Sequence, residues 1–301
     1  MNKVKVTVFT PTYNRVYTLE RLYKSLLNQT SYDFEWLIVD DGSTDDTSKL
    51  IKSFQNNQLF DVRYYKQENS GKHVAINMGV SLAQGGLFFI VDSDDYLTTN
   101  SIETIITWEN SIIDKSGFAG VAGNKGFTSE SIIGNTFTGK YVDATSLERD
   151  KYHIEGDKAE VFYTNILKLF PFPVFDGERF ITENVVWYRI ASEGYRFRWF
   201  NEIVYIAEYL EDGLSARQIK LYADNPKGFA LSIKQKIKYL EYSKAQIDAA
   251  YFDYYQIVKD KVTLKNAAKY LGISQIYLIK SIALFYYRVA VNKVIKGTKD
   301  G

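Results

Sequence analysis

Two runs of carboxylates punctuate the N-terminal third of the chain, Asp40-Asp41-Gly42-Ser43 and Asp92-Ser93-Asp94-Asp95. Each follows directly on an apolar segment, Phe34–Val39 and Leu87–Val91. Acids crowded at a strand end repel an anionic ligand unless a divalent cation stands between them. Mg2+ or Mn2+ does this with one or two carboxylates plus phosphate oxygens, and the Asp-x-Asp spacing supplies the pair. Adjacent strand-end residues face opposite ways, so Asp92 and Asp94 point to one side and Asp95 to the other. The alternative is a solvated turn whose aspartates cap helices. Two such loops at matching strand ends weigh against it. A third loop, Pro11-Thr12-Tyr13-Asn14-Arg15, closes the strand Val4–Thr10. The stretch from Asn69 to Asn77 opens a helix, where free N–H groups and the cationic Lys72 favour phosphate. A glycine-started helix with exposed Lys72 and His73 is the other reading of that stretch.

These loops need a frame that brings them together. Leucines at 19, 22, 26 and 27 with Tyr23 give Thr18–Thr30 one apolar stripe at helical spacing. A short helix follows with Leu50, Ile51 and Phe54, then a strand at Val62–Tyr65, a helix near Lys72–Gln84 and the apolar strand Leu87–Val91. Strand–helix alternation of this period predicts an α/β fold with a right-handed parallel sheet. With strand order 3-2-1-4, strands 2, 1 and 4 are neighbours and their three loops share one rim at the switch point. Strands lie about 4.8 Å apart, so the rim spans roughly 10 Å, which suits a nucleoside diphosphate. Beyond residue 117 the pattern loosens. Residues 185–193 read as a helix, and Arg217 to about Lys296 reads as helical throughout.

Composition narrows the chemistry. The 301 residues are 46% hydrophobic and 24% charged, the balance of a globular protein with ample core. Zero cysteines exclude disulfides, thiolate zinc sites and cysteine nucleophiles, and two histidines exclude a histidine-rich metal centre. Any metal is then a hard cation on oxygen ligands. The net charge of +1 does not indicate nucleic acid as a partner. It hides a split, because Gln256–Gly301 holds nine Lys/Arg and two Asp, leaving 28 of 37 bases and 34 of 36 acids to the rest. The start reads as no export signal, which with the lack of Cys predicts a cytoplasmic location.

VTVFTPTYNR, WLIVDDGSTDDT and LFFIVDSDDYL, in this order and spacing, resemble the nucleotide-binding half of the family 2 glycosyltransferases with the GT-A fold. The resemblance is strong over roughly residues 4–100. It implies a nucleotide-diphosphate sugar as donor, expected to be a UDP-sugar, a Mn2+ or Mg2+ cofactor, and inversion at the anomeric carbon. Carried over, Thr12 and Tyr13 line the nucleoside pocket, with Pro11, Arg15 and Ser93 among the donor contacts. Asp41 accepts from the base N–H. Asp94 is the main metal ligand, with Asp92 near the ribose and metal and Asp95 in support. Lys72 and Asn77 match a basic residue and an Asn that relatives place against the donor.

Inversion needs a base for the acceptor hydroxyl. The resemblance puts it in a Glu-Asp pair, here Glu183-Asn184, so Glu183 is the candidate, with Asp176 and Glu178 as neighbours to test. Glu183 capping its helix is the competing reading. Glu208–Ser215 looks like the loop that closes over the diphosphate in bacterial relatives that build surface polysaccharides. The run Phe170–Phe175 either floors an acceptor site or is core. The expected division is a GT-A domain over 1–215, split at about 100 into nucleotide and acceptor halves, and a helical region over 216–301. The expected acceptor is a glycan or a lipid-linked glycan. The basic, aromatic C-terminal helices fit either the inner face of the cell membrane or a partner subunit. A nucleotidyltransferase and a non-catalytic glycan-binding or scaffold protein are the alternatives. The first lacks its Gly-rich loop after strand 1.

Overall fold

A computed structural model describes residues 4–208 and 217–297, with side chains through Arg288. The described residues form two compact units, one within Met1–Val174 and Val186–Glu211, the other within Phe175–Val185 and Asp212–Gly301.

In the first unit β1 (Val6–Thr12), α1 (Val16–Leu27), β2 (Phe34–Asp40), α2 (Thr47–Phe54), β3 (Asp61–Lys66), α3 (Lys72–Leu82) and β4 (Leu87–Ile90) alternate as the periodicity predicts. There follow β5 (Tyr96–Leu97), α4 (Ser101–Asn110), β6 (Phe118–Gly126), β7 (Tyr141–Ala144), β8 (Lys158–Tyr163), α5 (Thr164–Leu169), α6 (Asn184–Ser192) and β9 (Arg196–Ile206). The sheet order is β3-β2-β1-β4-β8-β6-β9-β5, with β7 on β9. The first four strands are mutually parallel in the expected order, and β8 enters antiparallel to both β4 and β6. All residues of β1 and β2 are buried, as both faces of a helix-covered parallel sheet should be.

Strand β1 runs two residues further than the sequence suggests, through Pro11. Its pairing with β4 stops at Phe9–Ile90, while pairing with β2 continues to Thr12–Asp40. Pro11 therefore sits beyond the β4 ladder, where a missing N–H strands no partner on that side. Leu19, Leu22 and Leu26 pack α1 on the sheet. Tyr23 stacks on Phe54 at 4.0 Å, and Phe34 meets Phe60 at 4.6 Å. One carboxylate crosses this core. Glu35, fully buried, accepts from Thr7 Oγ1 (2.6 Å), Arg63 Nη1 (2.7 Å) and the Gln84 N–H (2.7 Å). Its charge is tolerable only because all three donors converge on it.

The second unit holds α7 (Gln218–Asp224), α8 (Pro226–Tyr239), α9 (Lys244–Val258), α10 (Leu264–Leu271) and α11 (Gln275–Gly297). Pro226 starts α8, Ser243 and Gln246 form a capping box on α9, and left-handed Gly272 ends α10. Phe229, Tyr254, Val258, Leu271 and Leu278 form its core.

Candidate active site

The three predicted loops lie at the carboxyl ends of β1, β2 and β4, neighbours across the point where strand order reverses. The first two are stitched together. Asn14, at φ 52°, donates its N–H to Ser43 Oγ (2.8 Å) and accepts the Thr44 N–H (2.8 Å). Asn tolerates this left-handed backbone better than most residues. The Asp41 N–H reaches back to the Thr12 carbonyl at 2.8 Å.

Asp40 and Asp41, adjacent in sequence, do different work. Asp40 is fully buried and accepts from the Ser43 N–H and the Tyr64 hydroxyl, both at 2.7 Å, so it shapes the turn. Asp41 accepts from the Ser70 N–H (2.7 Å), the Gly71 N–H (2.8 Å) and Gln67 Nε2 (2.7 Å). It thereby holds the start of α3 against the β2 loop. Gly71, at φ 100°, lets the chain turn there. Thr12 is buried with its Oγ1 unpartnered, while Tyr13 stands 47% exposed. Pro11 is buried and Arg15 half-buried.

At the third loop Lys72 Nζ meets Asp92 Oδ1 at 2.7 Å. Burial alone would push the Asp92 carboxyl up, but Lys72 and Lys125 hold it below the ordinary range. Asp94 goes the other way. Burial, then the charge of Asp92, raise it. Ser93 is buried between them. Asp95 is 5% exposed and fully engaged, with Oδ2 accepting from the Tyr205 hydroxyl (2.6 Å) and Oδ1 from the Glu208 N–H (2.8 Å). Tyr205 also accepts the Asp92 N–H at 3.0 Å. Arg21 binds both the Glu208 carboxylate and the Asp94 carbonyl. These bonds tie all three aspartates to the end of β9.

Several expectations change. Asn77 does not present its amide to a donor, because Nδ2 donates to the Phe172 carbonyl (2.9 Å) and Oδ1 accepts the Phe172 N–H (2.8 Å). It clamps the loop after α5. Phe172, 3% exposed, packs on Trp187 and is core. His73 is not the exposed residue of the alternative reading but 2% exposed, with neither ring nitrogen partnered and its pKa lowered by burial. Asp95, named as a supporting ligand, spends both oxygens within the protein. Arg21, Lys125 and Tyr205 were missed, since nothing local marks a residue that acts on a loop far along the chain, 73 positions away for Arg21 and 113 for Tyr205.

The candidate base lies in the second unit. Glu183 is half-buried, one residue ahead of α6. Its neighbour Glu178 takes the Lys227 and Gly228 N–H groups, both at 2.8 Å, and so caps α8. Such a carboxylate is enclosed by its own backbone donors, unlike a base that must reach a substrate. Asp176 is exposed. The segment 209–216, within the expected closing loop, lies outside the described residues.

Among the described residues no group of three or more His, Cys, Asp or Glu is set to hold a metal unaided. The donor set nevertheless fits a hard divalent ion. Asp94 and Asp92 crowd two carboxylates, and burial, then the charge of Asp92, raises Asp94. Mg2+ and Mn2+ complete their shells with water and phosphate oxygens and need no more protein ligands than this.

A Rossmann-like sheet with an Asp-Ser-Asp-Asp loop at its switch point defines the GT-A fold. Structural neighbours agree. Staphylococcus aureus TarS 1-349, solved with UDP-GlcNAc, superimposes with a TM-score of 0.64 at 18% identity, covering 94% of this chain and 89% of that one. The mannosyltransferase PcManGT from Pyrobaculum calidifontis, solved with GDP-Man and Mn2+, gives 0.55 at 18% identity, covering 97% and 76%. Residues 7–125 match the model of glycosyl transferase family 2. The GalNAc(5)-diNAcBac-PP-undecaprenol beta-1,3-glucosyltransferase of Campylobacter jejuni is 28% identical over 194 residues, 63% of this chain and 60% of the relative. Residues 7–125 thus correspond to a family 2 glycosyltransferase domain. The chain spans 20–31% of the length of three other curated bacterial glycosyltransferases that it matches.

Proposed function

We propose that the protein is an inverting, metal-dependent glycosyltransferase that moves a sugar from a UDP-sugar to a glycan or lipid-linked acceptor in cell-surface polysaccharide synthesis. The observation that carries this reading is the Asp92–Asp94 pair at the sheet's switch point, with Lys72 at 2.7 Å from Asp92. Asp94 and Asp92 would hold Mn2+ or Mg2+, which when bound offsets charge on the leaving diphosphate. Lys72, at the N-terminus of α3, would supply further positive charge to phosphate. Asp41 would accept from the base once nucleotide competes with its loop bonds. Thr12, with its buried hydroxyl unpartnered, has a hydrogen bond to offer the nucleoside. Asp95, Tyr205 and Arg21 hold the loop in register. The donor and acceptor classes draw support from what the neighbours and the C. jejuni relative are named for. Glu183 is the proposed base, on its place in the sequence.

The test is a panel of UDP- and GDP-sugars, screened by calorimetry with and without Mn2+ and by metal-dependent donor hydrolysis. Absence of nucleotide binding, or binding that survives Asp94→Asn unchanged, sinks the reading. Glu183→Gln should lower transfer by at least about a hundredfold, the scale of a general base, while leaving UDP affinity within about twofold. Retained turnover moves the base elsewhere.

A further inference from the structure

Helix α11 is amphipathic, and its contacts settle which side faces the protein. Leu278 is fully buried, Phe285 stacks on Phe252 of α9 at 4.0 Å, and Arg288 Nη1 binds buried Asp248 Oδ2 at 2.9 Å. At 100° per residue these three lie within about 80° of one another. The opposite arc, about 120° wide, carries Ile276, Ile279, Lys280, Ala283, Tyr286 and Tyr287. Its large side chains are mostly exposed, Ile276 by 79%, Ile279 by 52%, Tyr286 by 56% and Tyr287 by 68%, with Tyr286 at the margin meeting Phe252 edge-on at 5.0 Å. Scattered exposed apolar residues are ordinary, but an ordered stripe of them along three turns is not.

Charge says what covers it. From Lys261 to Lys299 the sequence holds eight Lys/Arg and no Asp or Glu. Lys265 and Lys269 on α10 are exposed, as is Lys280 within the stripe. A polyanion groove would put bases, not isoleucine and tyrosine, along the contact line. A protein partner or second copy gives no reason to exclude carboxylates over 39 consecutive positions. An anionic bilayer accounts for both observations, because apolar and aromatic side chains sink to the acyl boundary while lysines meet lipid phosphates. No described helix is long and apolar enough to cross a membrane. The contact is therefore one of lying on the surface.

We infer that the outer face of α11, Ile276 to Tyr287, docks the protein on an anionic lipid surface. This rests on the helix itself and not on the glycosyltransferase reading, so either can fail alone. The full chain should co-sediment with vesicles of 70:30 phosphatidylcholine:phosphatidylglycerol and bind pure phosphatidylcholine at least about fivefold less. Raising NaCl from about 0.05 to 0.5 M should weaken binding by a similar factor, since screening shortens the reach of the lysines. The Ile276→Ser/Tyr287→Ser variant should bind about tenfold less while keeping its circular dichroism and its nucleotide affinity. As a second readout, Ile276→Trp should be quenched by brominated lipid in anionic vesicles. The inference is overturned if the chain ignores these vesicles, or if the serine variant binds them equally. It is overturned too if the introduced tryptophan stays unquenched. A dimer dissolved by the serine substitutions, or duplex DNA bound in preference to vesicles, would assign the face to another occupant.

Discussion

Removing one hydroxyl tests the bracing of the Asp92–Asp95 loop. Tyr205→Phe deletes a donor to Asp95 Oδ2 (2.6 Å) and an acceptor for the Asp92 N–H (3.0 Å), and leaves the ring in place. A hydrogen bond to an ionised carboxylate contributes about 1.5–3 kcal/mol, and a stranded buried N–H costs about 1–3 kcal/mol. The expected loss of stability at pH 8 is thus about 2.5–6 kcal/mol. The size should depend on pH. Burial, then the charge of Asp92, push Asp95 up to about 7, against the pull of Tyr205 and the Glu208 N–H. A carboxyl raised on folding contributes stability that is present below its ordinary value and lost as pH rises through 7. Below pH 5 Asp95 is neutral, and the deleted bond falls to the neutral class of about 0.5–1.5 kcal/mol. The penalty should shrink accordingly by about 1–1.5 kcal/mol. All four tryptophans (36, 108, 187 and 199) lie in the first unit, so fluorescence-detected guanidinium unfolding reports on it. Calorimetry should show weaker Mn2+–nucleotide binding by about tenfold. A variant within about 0.5 kcal/mol of wild type at pH 8 refutes the bracing argument, and an equal penalty at both pH values refutes the ionisation argument.

His73 should make the fold acid-sensitive. Burial lowers its pKa below the ordinary 6.5, so the unfolded chain takes the proton first, and stability present above 6.5 is lost as pH falls through the folded value. His73→Leu should flatten the unfolding midpoint between pH 7 and 5, and an unchanged slope counts against it. Asn77→Ala should cost about 1–3 kcal/mol by freeing the Phe172 backbone yet leave UDP affinity within about twofold. A larger loss of affinity in calorimetry would restore Asn77 to the donor site.

Local chemistry carried the sheet. The order β3-β2-β1-β4 and the three rim loops follow from periodic apolar runs that end in acids, signals contained within about ten residues each. What stayed hidden works across the chain. Tyr205 lies 113 positions from Asp92, and Phe172 lies 95 from Asn77. The composition of neither segment announces its partner. His73 follows an exposed-looking Lys72, and only the folded helix shows which of the two is turned inward. Asp40 and Asp41 cannot be told apart as letters, yet the first folds the turn and the second holds α3.

The pairing of Lys72 with Asp92 constrains how the proposed ligands arrive. Cation and carboxylate satisfy each other across this pair, so a ligand that took up either one would leave the other in need of a partner. Were Asp92 to turn to a metal, the Lys72 ammonium would be freed for phosphate, and were Lys72 to turn to phosphate, the Asp92 carboxylate would be bared for a metal. Each ligand removes the other's competitor. By linkage the two affinities must rise together by one and the same factor, whichever ligand is added first.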